Sequence, residues 1–449
     1  MATGRGGFSS KLGVVLATAG SAVGLGNIWR FPYITGENGG GAFILLYLAV
    51  ILFFGIPAMM AEFCIGKTAK ANASKAFEII APGSKWYIVG LIGVIVAVII
   101  LGYYTVVTGW TLEYLFRSVL GDLQGKSVLE YSNMFDDFTA DPVRPILWTA
   151  IVVFLSYLII SKGVQNGIEK ASKVMMPVLF IVLIILAIRS LMLPGAAAGM
   201  KFLFYPDFSK LTLQSLLDAV GQVFFSMSIG MGCMITYSSY FKKNVDLIKT
   251  SASVASIDTL VAIISAIVIF GTMFSFHMQP DEQGPGLVFK TLPNIFQQMS
   301  GGIVWALLFY ILLFIASITS IISLLEVVIA YINETWHLSR IKSSRIVSAI
   351  TVALGVLSAL SFNLLSFVKI GGMGLFDFSD FITAKVLMPL GGIAMAIFIG
   401  WRMGREEVKN EITNMGKYPV AIYKIYMVLI RFVVPIGITA IFISSLLPH

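Results

Sequence analysis

Apolar residues run along this chain in long stretches, each closed by a short loop that carries lysine, arginine or acidic side chains. Taking about 20 consecutive apolar residues as one crossing of a bilayer, the pattern predicts helices over 11–35, 40–66, 86–118, 145–161 and 168–191. A second set follows over 214–240, 250–276, 302–332, 345–366, 380–402 and 418–447. These are helices 1 to 11 below. Two of them are not written as plain spans. Helix 1 holds Gly20, Gly24, Gly26, Asn27 and Arg30 between apolar flanks, and helix 6 reads Gly221-Gln222-Val223-Phe224-Phe225-Ser226-Met227-Ser228-Ile229-Gly230-Met231-Gly232. Glycine weakens a helix, and a charge at membrane depth is costly. Irregular backbone survives in a bilayer only where protein buries it or it lines a cavity, so both stretches predict unwound peptide groups facing a ligand.

The broken helices are the first and the sixth, at corresponding places in two five-helix halves. A matched pair of this kind is the pattern of an inverted-repeat secondary transporter with its site near the midplane. The expected organisation is one all-α polytopic unit, residues 1–449. Helices 1–5 lie in 1–191, the inverted second repeat in 192–402, and helix 11 in 403–449 as an appendage. Helix 5 also carries Pro177, with Gly167 ahead of it; this predicts either a static kink or a water path for ion release.

Composition narrows the class. Of 449 residues, 57% are hydrophobic and only 12% charged, whereas a soluble domain carries roughly a quarter charged residues. The net charge of +8 does not imply a nucleic-acid partner, because the basic residues sit in alternate short loops. Lys67, Lys70 and Lys75 follow helix 2, Lys162, Lys170 and Lys173 follow helix 4, and Lys242, Lys243 and Lys249 follow helix 6. Arg340, Lys342 and Arg345 follow helix 8, and Arg402, Arg405, Lys409 and Lys417 follow helix 10. The alternate loops 119–144 and 277–301 are acidic. By the bias of Lys and Arg toward the cytoplasmic side, the N-terminus is expected inside a plasma membrane and the C-terminus outside. The N-terminus lacks the apolar core and cleavage site of a signal peptide, so helix 1 is expected to stay. Cys64 and Cys233 lie in apolar segments, and His277, His337 and His449 have no metal-ligand spacing. No paired catalytic carboxylates or His-based triad appear, which argues against an enzyme.

The run AGSAVGLGNIWRFPYITGENGGGAF resembles the first-helix signature of the neurotransmitter:sodium symporter family. The resemblance extends through Gly55-Ile56-Pro57 and Glu62, Tyr103-Tyr104, GQVFFSMSIGMG with ITYSSY, Ala316-Ser317-Ile318-Thr319-Ser320, and Phe378-Ser379-Asp380-Phe381, and is strongest to bacterial amino-acid members. It implies a LeuT-like fold and the cotransport of an amino acid with sodium.

An amino acid buried as a zwitterion needs oriented dipoles at each end. The half-helix after the break presents amide groups near Leu25 and Gly26 to a carboxylate, and the resemblance adds the Tyr104 hydroxyl. Carbonyls of the preceding half-helix, of Phe225 and of Ser228 are left for the ammonium. In relatives that carry amines without a carboxylate, an aspartate corresponds to Gly24; here the cargo is expected to bring its own carboxylate. The wall is expected from Val23, Ile100, Phe225, Met231 and Leu324 beside Tyr104, which favours hydrophobic L-amino acids, aliphatic and aromatic. Any one of these alone is more simply read as packing.

Sodium prefers hard oxygen ligands. The resemblance implies two ions. The first is held by the Ala22 carbonyl, Asn27, Ser226, Asp258 and the cargo carboxylate. The second is held by the Gly20, Val23 and Ala316 carbonyls with the hydroxyls of Thr319 and Ser320. The fixed charge of Asp258 implies that chloride is not required. Taken alone, hydroxyls such as these more often bond back to the preceding turn. Arg30 and Asp380 resemble an outer gate pair, with Phe225 as lid and Gln222 near Arg30. Arg5 and Glu334 resemble an inner pair, with Phe8 and Tyr240 nearby. Snorkelling to the interface is the simple alternative for Arg30 and the whole account of Arg431. Glu62, Glu113 and Glu326 are expected to accept from the broken helix backbones. A different class of function, an amino-acid-gated channel or a non-transporting membrane sensor, remains as the alternative.

Overall fold

A computed structural model describes residues 6–276 and 285–446, with side chains to residue 443. It is built of helices throughout. Eight are continuous and apolar enough to cross a membrane: Gly41–Ala69, Tyr87–Leu120, Val164–Leu191, Leu247–Ser275, Gly302–Thr335, Arg340–Leu360, Leu375–Arg402 and Val420–Ile443. The pairs Lys11–Ala22 with Gly26–Glu37 and Val128–Ala140 with Arg144–Ile160 are bent by 59° and 75°. Helix 6 divides into Leu213–Ser226 and Cys233–Ser239. The expected spans therefore correspond to observed helices, broken where the glycines fall.

Each break has a local cause. Ser10 caps helix 1 by accepting from the Gly13 amide, and the helix runs to Ala22 before Val23 turns extended, with ψ 113°. The Gly24 amide then donates to Asn27 Oδ1 at 3.0 Å and the Leu25 amide to the Tyr104 hydroxyl at 3.1 Å, replacing lost helix partners. In helix 6, Ser228 and Gly230 take φ of 53° and 86°, and Glu62 Oε1 accepts from the Gly230 amide at 2.7 Å. Buried peptide groups are expensive to leave unpaired, so a carboxylate from helix 2 sits where the chain unwinds.

Helices 3 and 8 pack along their lengths at the centre, and the first half of helix 1 lies against helices 5, 7 and 8. Helix 11 is largely exposed to the surroundings. The loops hold more order than the hydropathy pattern implies. Val128–Ala140, closed by a Ser127–Glu130 capping box, and Leu292–Gln298 are helices in stretches expected to be loops. Helix 9 starts five residues before its expected position, at Arg340, where Ser339 caps it. Helix 5 is continuous through Pro177 and begins with a wider turn at Val164–Glu169. The acidic residues Asp281 and Glu282, with His277 and His449, lie outside the described residues.

Candidate functional site

The two breaks face each other across one cavity of about 390 Å³, lined by Ala22, Gly24 and Gly26 of helix 1, Ile100 and Tyr104 of helix 3, Phe225, Ser226, Ser228 and Met231 of helix 6, and Ser320 and Leu324 of helix 8. Ser21, not anticipated from the sequence, joins them. Its carbonyl accepts from Ser228 Oγ at 2.8 Å, tying the breaks together. The signal was its place between Gly20 and Ala22. Val23 is a correction: the extended turn buries its side chain completely, away from the cavity, and leaves its carbonyl 3.3 Å from Ser320 Oγ. Leu25 lines the outer vestibule instead.

Gly24 occupies the tightest point. A Cβ there would lie 2.8 Å from Ser320 Oγ and 2.9 Å from the Tyr104 hydroxyl. The missing side chain lets the backbone come up against both hydroxyls at the start of the second half-helix, where amide and hydroxyl groups suit a carboxylate. The Phe225 carbonyl already takes the Ser228 amide at 3.2 Å, with a second lone pair remaining.

Polar groups gather on both flanks of the cavity. On one side Asn27 Nδ2 lies 2.7 Å from Asp258 Oδ1 and 3.2 Å from Ser226 Oγ. Ser226 Oγ reaches both carboxylate oxygens of Asp258, at 2.8 and 2.7 Å, and Tyr47 approaches at 3.5 Å. Asp258 is wholly buried, and among the described residues no lysine or arginine pairs with it. A buried carboxylate without a counter-cation is costly, so these oxygens suit a small hard cation. On the other flank Ser320 Oγ lies 3.3 Å from both the Val23 and Ala316 carbonyls. Thr319 Oγ1 lies 2.9 Å from Ala316 O and packs next to Gly20. Both hydroxyls bond back toward the preceding turn and also face helix 1.

Phe225 lines the central cavity and two outer cavities of about 920 and 1360 Å³. It is the partition between them, with the Arg30 guanidinium 4.8 Å from its ring centre. The expected gate contacts differ here. Arg30 and Asp380 line the same outer vestibule, yet no ion pair joins them among the described residues, because Arg30 lies over the lid. Gln222 does not meet Arg30; its amide donates to the Gly26 carbonyl at 3.0 Å, an oxygen that also accepts from the Phe31 amide within the second half of helix 1.

The side holding the N-terminus is sealed. Phe8 is buried among Tyr237, Tyr240 and Phe241, with ring centres 5.9 to 6.4 Å away. Glu169, unanticipated, accepts from the Ser9 amide at 2.7 Å, from the hydroxyls of Ser9 and Ser10 at 2.6 and 2.9 Å, and from Lys173 at 2.7 Å. Glu334 accepts from the backbone and side chain of Asn72. Arg5 lies outside the described residues. Of the three intramembrane glutamates, only Glu62 serves a break. Glu113 instead collects Arg117, Arg144 and Trp148, and Glu326 collects Arg340 and Tyr240, because each lies near a helix end within reach of an arginine. Arg431 does more than snorkel: its Nε donates to the Gly400 carbonyl at 2.6 Å.

A helical bundle with two broken helices enclosing a cavity flanked by cation-suited oxygens defines a sodium-coupled membrane transporter. The model of the sodium:neurotransmitter symporter family matches residues 5–141 and 126–449, and the chain belongs to that family. It is similar to an uncharacterized sodium-dependent transporter of Haemophilus influenzae, with 38% identity over 98% of each chain. It is also similar to the uncharacterized sodium-dependent transporter YhdH of Bacillus subtilis, with 37% identity over 97% of each. The crystal structure of MhsT in complex with L-phenylalanine matches with a TM-score of 0.90 and 42% identity, covering 98% of this chain and 100% of that one. The resemblance read from the broken helices thus holds over the whole length, and the fold is that of the LeuT-like transporters.

Proposed function

We propose that this chain imports hydrophobic L-amino acids with two sodium ions by alternating access between its two five-helix halves, N-terminus in the cytoplasm. The observation that carries the reading is Gly24, whose absent side chain leaves the Tyr104 and Ser320 hydroxyls lining the cavity for a carboxylate that the cargo must bring. Ile100, Phe225, Met231 and Leu324 face the cargo's side chain. Met231, with a flexible thioether, repacks around aliphatic or aromatic shapes. The bound L-phenylalanine of MhsT supports the same substrate class.

In this reading the first sodium lies among Ala22, Asn27, Ser226 and Asp258, and the cargo carboxylate completes its shell. The Asn27 amide turns so that Oδ1 faces the ion. The second lies among Gly20, Val23, Ala316, Thr319 and Ser320. The Asp258 charge takes the place of a chloride ion. Because cargo and first ion share a ligand, each raises the other's affinity by the same factor. Closure brings Arg30 off Phe225 toward Asp380, and release opens the seal held by Phe8 and Glu169.

The test is uptake into proteoliposomes over a panel of amino acids, with a sodium gradient, with potassium in its place, and with gluconate replacing chloride. Sodium-driven, chloride-indifferent accumulation of leucine or phenylalanine is expected. Uptake unchanged in potassium would overturn the coupling, and preference for a polar amino acid would overturn the wall assignment.

A further inference from the structure

Helix 11 meets the end of helix 10 along a face that takes no part in the central site. Arg431 anchors on the Gly400 carbonyl through Nε, and its guanidinium lies 5.9 Å from the Trp401 ring centre. Among the described residues no other hydrogen bond engages it, which leaves its terminal N–H groups to donate elsewhere. Arg405, which opens the helix Arg405–Ile412, shares with Arg431, Trp401 and Met427 a cavity of about 560 Å³. A wider cleft of about 960 Å³, bounded by Arg405, Lys424, Tyr423 and Phe432, continues from it.

Two of the carboxylates nearby are engaged by lysines, and Glu406 also lines the wider cleft. Glu406, on the rim, pairs with Lys409 at 3.4 Å, and Glu411 pairs with Lys67 at 2.7 Å. Among the described residues no ion pair engages Arg405, Lys424 or Arg431. Three cations therefore line one cleft with no ion-pair partner among the described residues, the Glu406 on its rim being taken by Lys409. The rim beside them is apolar and open, with Trp401 54% and Phe432 55% exposed. A cationic recess at the end of the spans, bordered by exposed aromatic and aliphatic side chains, matches a molecule with a phosphate at one end and hydrocarbon at the other. A free anion would make no use of the apolar border.

We propose that the cleft between helices 10 and 11 binds the headgroup of an anionic phospholipid, its phosphate between Arg405, Lys424 and Arg431 and its chains along Phe432 and Val428. The full-length protein in mixed micelles holding phosphatidylglycerol and phosphatidylcholine at equal mole fraction reports this through native mass spectrometry of retained lipid. Phosphatidylglycerol is expected to be retained preferentially. The double variant Arg405→Gln, Lys424→Gln, at two exposed positions, is expected to lose that preference by about fivefold for each charge removed. Arg431→Gln should lose it as well, but it also releases Gly400, so the double variant carries the test. Equal retention of the two lipids, or an unchanged double variant, overturns the proposal. Inorganic phosphate serves as the competing probe: displacement of the lipid by it would mark a free-anion site and overturn the lipid assignment, and no displacement supports it.

Discussion

Replacing Gly24 by aspartate moves a carboxylate from the cargo to the protein. An ideal Cβ at this position lies within 3 Å of Ser320 Oγ and the Tyr104 hydroxyl, at 2.8 and 2.9 Å, so the new side chain competes for the hydroxyls assigned to the cargo's own carboxylate. Two like charges held about 4 Å apart at an effective dielectric of about 20 repel by about 4 kcal/mol, roughly a thousandfold in affinity. Gly24→Ala adds the same Cβ without the charge. Its neighbours are the ends of two side chains that can shift, so overpacking costs roughly 1–3 kcal/mol. The assay is equilibrium binding of labelled phenylalanine in sodium, beside phenethylamine, which has the same side chain and no carboxylate. Gly24→Asp is expected to lose phenylalanine by about a thousandfold and to bind the amine better than the wild type does. Phenylalanine binding within tenfold of wild type would refute the reasoning. So would equal losses in the two variants with no gain for the amine, since the effect would then be steric.

Asp258→Asn removes the only formal charge in the first cation cluster, and the sodium concentration for half-maximal uptake is expected to rise at least tenfold or to become chloride-dependent. A sodium titration in chloride and in gluconate reads this, and a fully active, chloride-indifferent variant removes Asp258 from the site. Glu169→Gln removes the charge and one of the two acceptor oxygens that serve Ser9 and Ser10, and weakens each bond that remains by about 1 kcal/mol. Hydrogen exchange at the Ser9 amide, which donates to Glu169, should quicken at least tenfold; unchanged protection would mean that Phe8 alone holds the seal. Glu62→Ala leaves the Gly230 amide buried without its acceptor, at a cost of about 1–3 kcal/mol. Thermal unfolding in detergent should fall accordingly, while Glu62→Gln, which keeps an acceptor oxygen, falls less, and equal melting of the two would show that the bond to Gly230 is not what stabilises the break.

The helices were legible because a bilayer leaves few alternatives: a long apolar run must satisfy its own backbone, and glycine, asparagine and arginine inside one mark where it fails to. That logic located both breaks and the cavity between them. It did not resolve which way individual side chains leave an unwound segment. Val23 was expected on the cavity wall, but one extended residue after Ala22 is enough to turn it into the core. Gln222 was expected at Arg30, yet its amide donates across to the Gly26 carbonyl, a second bond to an oxygen that already takes the Phe31 amide. Glu169 was invisible as a latch, since a glutamate beside Lys170 and Lys173 reads as an ordinary loop charge until the N-terminus is folded over it. Amphipathic Val128–Ala140 was passed over because a search for apolar runs skips a helix with only one apolar face.

The central cavity and the two flanking clusters are not separable units, and this bears on how the proposed coupling would work. Ser226 lines the cavity and also bonds to both oxygens of Asp258; Ser320 lines it and also reaches the carbonyls of Val23 and Ala316. Each cluster is thus a single side chain away from the cargo. Ser226 is the last residue of the first half of helix 6, next to the lid Phe225. Any motion that lowers this lid onto cargo carries Ser226 with it and changes its distance to Asp258. In the proposed function an ion between those groups and a substrate beneath the lid would act on the same hinge, so that each favours the closure the other needs.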